Sequence, residues 1–186
     1  MPQDKQYHRQ VKAGQRYETM ISQKKILVVE DNEINRMILR EILSPQYKVL
    51  EAGNGAEALS VLREYGEMVS LILLDIVMPV MDGYTFLSHI KADSSFSSIP
   101  VIVTTQSDSE SDEVAALSHG AADFVAKPYK SQVILHRVAS IIHLRETAAM
   151  INLVQYDRLT GLYSKEFFYQ RVRETLMQHP DREYDI

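Results

Sequence analysis

Five short apolar runs constrain this chain more than any other feature: Ile26-Leu27-Val28-Val29, Tyr47-Lys48-Val49-Leu50, Leu71-Ile72-Leu73-Leu74, Val101-Ile102-Val103-Thr104 and Asp123-Phe124-Val125-Ala126. Four of the five show little polar alternation, the pattern of strands covered on both faces in a parallel sheet. Segments of helical period follow each run. Ile34, Met37, Ile38 and Ile42 make one apolar face, Ala58, Leu59 and Leu62 a second, and Phe86, Leu87 and Ile90 a third. Val114 and Leu117 make a weaker fourth, and Val133, Ile134, Val138, Ile141 and Ile142 a fifth. Strand and helix therefore alternate five times. That order predicts a doubly wound α/β domain over residues 25–144.

Composition narrows the function classes. The 186 residues include no cysteine, which excludes a thiolate nucleophile, a disulfide frame and a cysteine zinc site. The longest candidate membrane span, from Met68 to Met81, is interrupted by Asp75 and Pro79. The opening MPQDKQYHRQ has no apolar leader core. The expectation is a cytoplasmic protein with no membrane partner. Formal charge is −5 overall, but residues 1–25 hold six Lys/Arg against two acids, so this leader is net +4 and the remainder −9. An acidic body argues against nucleic acid as a partner, and residues 1–24 read as a basic leader, helical or disordered.

In a doubly wound sheet, ligands bind beyond the carboxyl ends of the strands. The first run ends in Glu30-Asp31, the third in Asp75, the fourth in Thr104-Thr105 and the fifth in Lys127-Pro128. Singly, each has a plain structural reading: Asp31 as cap of a helix starting near Glu33, Thr105 as a β-branched strand end, Lys127 as a solvated loop charge. Jointly they point to chemistry. Three acids at one edge repel unless a cation sits among them, and a hard divalent ion with oxygen ligands, Mg²⁺ when phosphate is a co-ligand, meets that need. Lys127 and the Thr105 hydroxyl would then hold an anion. The implied anion is a phosphoryl group, and Asp75 is the carboxylate best placed to carry it covalently.

The order Glu30-Asp31, Asp75, Thr105, Lys127-Pro128, with Met78-Pro79 and Asp82-Gly83 behind Asp75, closely resembles the receiver domain of two-component response regulators. The resemblance implies a flavodoxin-like fold, a five-stranded parallel sheet in the order 2-1-3-4-5. It implies that Asp75 accepts a phosphoryl group from a sensor histidine kinase or phosphotransfer protein. Mg²⁺ would be held by Asp31, Asp75 and the main-chain carbonyl of Val77, with Glu30, in place of the commoner aspartate, acting directly or through water. Thr105, with Thr104 as substitute, would turn toward the phosphoryl group while Lys127 holds one of its oxygens, and Pro128 fits the family's cis bond. Phe124 stands at the switch aromatic, without a tyrosine hydroxyl. Val77 and Ser107 carry no amide or carboxylate to orient a hydrolytic water, so the phosphoryl state is expected to be long-lived.

After Leu144 the helical pattern continues as a stalk over residues 145–156, with Leu144, Ile151 and Val154 at near-heptad spacing, which implies a homodimer. Asp157 and Thr160 read as helix-start chemistry, before an apolar face of Phe167, Phe168, Val172 and Leu176. Asp157-Arg158-Leu159-Thr160-Gly161-Leu162 resembles the Asp-x-Leu-Thr-x-Leu opening of GGDEF domains, the catalytic domains of diguanylate cyclases. Ser164-Lys165 departs from the usual Asn-Arg. No Gly-Gly-Asp/Glu-Glu-Phe or Glu-Ala-Leu signature follows, so residues 157–186 read as the first elements of an output domain and the fragment itself as no enzyme. The expectation is a receiver controlling a diguanylate cyclase in cyclic di-GMP signalling. The alternatives are a phosphodiesterase parent with a degenerate GGDEF domain, or a non-phosphorylated interaction module.

Overall fold

The computed structural model describes residues 23–106, 110–157 and 160–178. The basic leader up to residue 22 and Ser107 lie outside the described residues. The described residues form two compact units, divided between Ile142 and His143.

The first unit is a five-stranded sheet in the order β2-β1-β3-β4-β5, every pair parallel. Its strands are β1 (Lys25–Val29), β2 (Lys48–Ala52), β3 (Val69–Asp75), β4 (Val101–Thr105) and β5 (Asp123–Ala126). The intervening helices are α1 (Glu33–Leu43), α2 (Gly55–Tyr65), α3 (Gly83–Ala92) and α4 (Glu110–Ser118), and α5 (Ser131–Gln155) follows β5. The boundary between the two units falls within α5. The alternation of strands and helices is the one the apolar runs predict, and the strand order is the one the resemblance to receiver domains implies.

Period-two alternation divides the core into two layers. Leu27, Val29, Ile72, Leu74, Val101 and Val103 face α2 and α3, where Ala58, Leu62, Phe86, Leu87 and Ile90 are buried. Ile26, Val28, Leu71, Leu73 and Ile102 face the other way, onto Leu39 and Leu43 of α1 and Ile134, Val138 and Ile142 of α5. β1, β3 and β4 are thus covered on both faces, which is why their sequences read as unbroken hydrophobic runs. β2 is an edge strand, and Lys48 and Glu51 are exposed on it.

The roll of α1 differs from the sequence expectation. Ile34, Met37 and Ile38, assigned to the core face, are exposed, at 65%, 49% and 39%. The inward stripe runs through Asn35, Leu39 and Leu43, one residue per turn at i, i+4. Hydrogen bonds set this roll: Asn32 caps the helix by accepting from the Ile34 and Asn35 amides, and Asn35 Nδ2 and Arg36 reach back to Glu30. Asp31, whose plain structural reading was that cap, is left exposed at the rim. Val114 and Leu117 of α4 are likewise exposed, and Ala116 is buried.

In the second unit, Asp157 closes a turn rather than starting a helix. Its Oδ1 accepts from the amide and the hydroxyl of Thr160, both at 2.9 Å, and its amide donates to Leu162 O at 2.8 Å. Tyr156 and Tyr163 meet in an isolated antiparallel bridge across this turn. The helix α6 (Lys165–Gln178) begins after Ser164, whose Oγ accepts from the Phe167 amide at 3.3 Å. Phe167 and Val172 are half-buried, whereas Phe168 and Leu176 are exposed.

Candidate functional site

The carboxyl ends of β1, β3, β4 and β5 bring Glu30, Asp75, Thr104, Thr105 and Lys127 to one edge of the sheet. Asp75 is the last residue of β3 and only 3% exposed, and Glu30, just past β1, is 1% exposed. Two carboxylates so deeply buried need a compensating cation. Lys127 supplies it: its Nζ lies 2.8 Å from Asp75 Oδ2 and 2.9 Å from Glu30 Oε2. β-Sheet pairing carries the lysine there, since its amide donates to Thr105 O at 2.8 Å just beyond the β4–β5 register. The Lys127-Pro128 peptide is cis.

The two acids are held in different electrostatic states. Burial pushes the Asp75 carboxyl up, the neighbouring Glu30 charge adds to the rise, and the bonds from Lys127 and the Ile76 amide only partly oppose it. Burial acts on Glu30 in the same sense, but hydrogen bonds from Lys127, Tyr129 and Asn35 outweigh it and hold that carboxyl below the usual range. For Lys127 burial favours the neutral amine, and the two carboxylates overcome it, so its ammonium form is reinforced.

The loop behind β3 is built to pass close to the site. Asp75 Oδ1 accepts from the Ile76 amide at 2.8 Å, and the Gly83 amide donates to Ile76 O at 2.9 Å. A Cβ at Gly83 would collide with the Asp75 carbonyl oxygen and lie 2.8 Å from Ile76 Cα, so only glycine fits. Asp82 caps α3 through Thr85, accepting from its amide at 3.0 Å and its hydroxyl at 2.7 Å. Val80, 86% exposed, has φ 68°, a left-handed conformation unusual for a β-branched residue.

Asp75, Ile76, Val77, Tyr84, Thr104 and Thr105 line an open cleft of about 270 Å³. Thr104 pairs with Asp75 in the β3–β4 register, and Thr105 is the last residue of β4. Phe124 is half-buried on β5. The guanidinium of Arg137, whose Nη1 donates to both Asp123 carboxylate oxygens at 2.6 Å, sits 5.6 Å from the Phe124 ring centroid. Glu30, Asp31 and Asp75 each present an oxygen within 4.8 Å of the others. Hard oxygen donors at that spacing fit a divalent ion of the Mg²⁺ kind.

The predicted residues therefore converge, apart from Phe124, which lies on β5 away from the carboxylates' hydrogen bonds, and Ser107, which is outside the described residues. Sequence reasoning missed Tyr129, whose hydroxyl donates to Glu30 Oε2 at 2.7 Å, and also Asn35, Arg36 and Tyr84. The register Asn35-Leu39-Leu43 was a readable signal for Asn35. A lone tyrosine after Lys-Pro carried none.

A parallel sheet in this order, with two buried acids and a lysine at its carboxyl edge, is the arrangement that the sequence resemblance to receiver domains implies. The profile of the response regulator receiver domain matches residues 26–139, and the chain belongs to that family. The response regulator PleD of Caulobacter vibrioides is 34% identical over 122 residues, 65% of this chain and 26% of PleD. The sensor histidine kinase CheAY of Helicobacter pylori is 33% identical over 120 residues, 64% of this chain and 15% of CheAY. The chain thus spans about a quarter or less of either relative's length. Among solved structures, the receiver domain of the sensor histidine kinase PA1611 from Pseudomonas aeruginosa, with magnesium coordinated in its active-site cleft, is 28% identical at a TM-score of 0.60. That match covers 66% of this chain and 99% of the other. A protein described as a two-component response regulator with a GGDEF domain is 28% identical at a TM-score of 0.62, covering 67% of this chain and 51% of that one.

Proposed function

We propose that this receiver is phosphorylated at Asp75 in an Mg²⁺-dependent reaction, with a sensor histidine kinase or phosphotransfer protein as donor. The observation that carries the reading is the buried Asp75 carboxylate facing Lys127 at 2.8 Å with an open cleft beside it. A carboxylate oxygen of Asp75 attacks the phosphorus of a phosphohistidine, the P–N bond breaks, and the imidazole leaves with the electron pair and takes up a proton. Lys127 moves from carboxylate to phosphoryl oxygen as that charge arrives. Asp31, Asp75 and the Val77 carbonyl would hold Mg²⁺, with Glu30 directly or through water, and the ion when bound neutralises phosphoryl charge. The exposed Ile34, Met37 and Ile38 of α1 offer an apolar surface suited to a protein donor.

Thr105 and Phe124 are the switch pair in this reading, with Phe124 reporting through packing against Arg137. The output is a GGDEF domain whose opening is Asp157-x-Leu-Thr-x-Leu. The bonds of Asp157 to Thr160 account physically for the two polar letters of that motif, and the likeness to the response regulator with a GGDEF domain supports it. The stalk would align two copies in a homodimer in the cytoplasm, and phosphorylation would act on a diguanylate cyclase making cyclic di-GMP.

Beryllofluoride, a phosphoryl mimic, tests the site in solution. With Mg²⁺ it is expected to shift the amide resonances of Asp75, Thr105, Phe124 and Lys127 in a ¹⁵N spectrum. An unchanged spectrum, or the same shifts in Asp75→Asn, would refute the assignment.

A further inference from the structure

Glu30 is engaged at both oxygens. Oε1 accepts from Asn35 Nδ2 at 3.2 Å and from the Asn32 amide at 3.4 Å; Oε2 accepts from Lys127 Nζ at 2.9 Å and from the Tyr129 hydroxyl at 2.7 Å. The Tyr129 oxygen also lies 3.3 Å from Thr104 Oγ1. A phenol has a single proton, which goes to the closer and charged acceptor, so the Thr104 hydroxyl can donate in turn to the Tyr129 oxygen. The chain Asn35–Glu30–Tyr129–Thr104 thereby ties α1 to β4 behind the acidic cluster.

Lys127 is the contested member. Its ammonium already serves Glu30 and Asp75, and a phosphoryl group on Asp75 adds a third claimant for the same three protons. A lysine drawn to phosphoryl oxygen loosens its hold on Glu30. Of the two donors to Oε2, only Tyr129 has no bond to Asp75 and so stays in place.

We propose that Tyr129 is a positioning residue that fixes Glu30 among the cation-binding carboxylates independently of Lys127, so that divalent-ion affinity depends on the Tyr129 hydroxyl. The inference rests on the reading of this cluster as a Mg²⁺ site. It also accounts for a glutamate at this position. An aspartate arm is shorter by one carbon–carbon bond of about 1.5 Å, which takes its oxygen out of reach of a hydroxyl now 2.7 Å away. Glu30 and Tyr129 act as a matched pair.

Tyr129→Phe is the informative change, because it deletes the hydroxyl and keeps the ring that stands 5.9 Å from Lys127 Nζ. Mg²⁺ binding to the full chain would be measured by titration calorimetry for the unaltered protein, Tyr129→Phe, Glu30→Asp, the double variant and Asp75→Asn, with ion-free thermal unfolding of each. Loss of a group that orients a ligand weakens metal binding about tenfold or more, so Tyr129→Phe is expected to raise the Mg²⁺ dissociation constant by about that factor. In the Glu30→Asp background the same change is expected to alter it less than about twofold, because the partner is already out of reach. A purely packing role predicts equal losses in both backgrounds, which would overturn the proposal. So would an unchanged affinity in Tyr129→Phe, or complete loss of binding in Glu30→Asp. An unaltered protein that binds no Mg²⁺, or an Asp75→Asn variant that binds as well as its parent, would instead defeat the underlying reading of the cluster.

Discussion

Asp75 combines two properties that oppose each other in the resting protein: it is buried next to a second acid, and the proposed phosphoryl transfer requires it ionised. Its folded-state pKa is raised, so the native state gains from its protonation and loses stability as pH rises through that value. Asp75→Asn removes the cost. Ion-free Asp75→Asn is therefore expected to melt higher than its parent at pH 7, with the gap closing as pH falls toward the ordinary aspartate value of 3.8. Mg²⁺ should shrink or reverse the gap, since only the parent keeps all three carboxylates to bind it. A lower melting temperature for Asp75→Asn at pH 7 without ion would contradict this assignment of charge. Glu30 works in the opposite sense: its pKa is depressed, so its contribution is present above 4.5 and lost as pH falls through its lower folded value.

Among the described residues, Lys127 is the one cation paired with both buried acids. Removing one partner from a buried ion network typically costs about 3–5 kcal/mol. Lys127→Ala should lose stability on that scale near neutrality in denaturant unfolding and recover part of it with millimolar Mg²⁺. A loss below about 1 kcal/mol would mean that solvent reaches the carboxylates.

Among the elements, the loop from β3 to α3 shows how far local geometry is bent to serve the site. Gly83 is there because the Asp75 carbonyl leaves no room for a Cβ, whereas Val80 holds a left-handed φ of 68° with its side chain 86% exposed. A non-glycine residue in that region is strained by roughly 1–2 kcal/mol, and glycine's greater freedom in the unfolded chain returns about 0.5–1 kcal/mol of that. Val80→Gly is thus expected to stabilise the protein by up to about 1 kcal/mol. Destabilisation in equilibrium unfolding would show that the valine makes contacts its exposure does not suggest.

The elements also show why some features could be read from sequence and others could not. Strands β1, β3 and β4 announce themselves because burial on both faces forces unbroken hydrophobic runs, and their last residues point directly to Glu30, Asp75 and Thr105. The roll of α1 was hidden because a polar residue, Asn35, takes a core-facing position to bond Glu30, leaving Ile34, Met37 and Ile38 outside. Tyr129 was hidden because its partner lies 99 positions away in the chain. Long-range polar pairing leaves no period to detect.

For the whole molecule, the sheet gathers the ends of four of its five strands, from a chain of 186 residues, into one acidic cleft. Among the described residues no helix is long and apolar enough to cross a membrane. In the second unit the turn at Asp157 and the half-buried Phe167 are positioned by local hydrogen bonds, so the motif there was legible as letters while the start of α6 at Lys165 was not. The central claim concerns Asp75, and intact mass after incubation with acetyl phosphate and Mg²⁺ tests it most directly. The account predicts one added phosphoryl group on the parent and none on Asp75→Asn. Equal labelling of both proteins, or no labelling of the parent where another receiver domain labels fully, would contradict it.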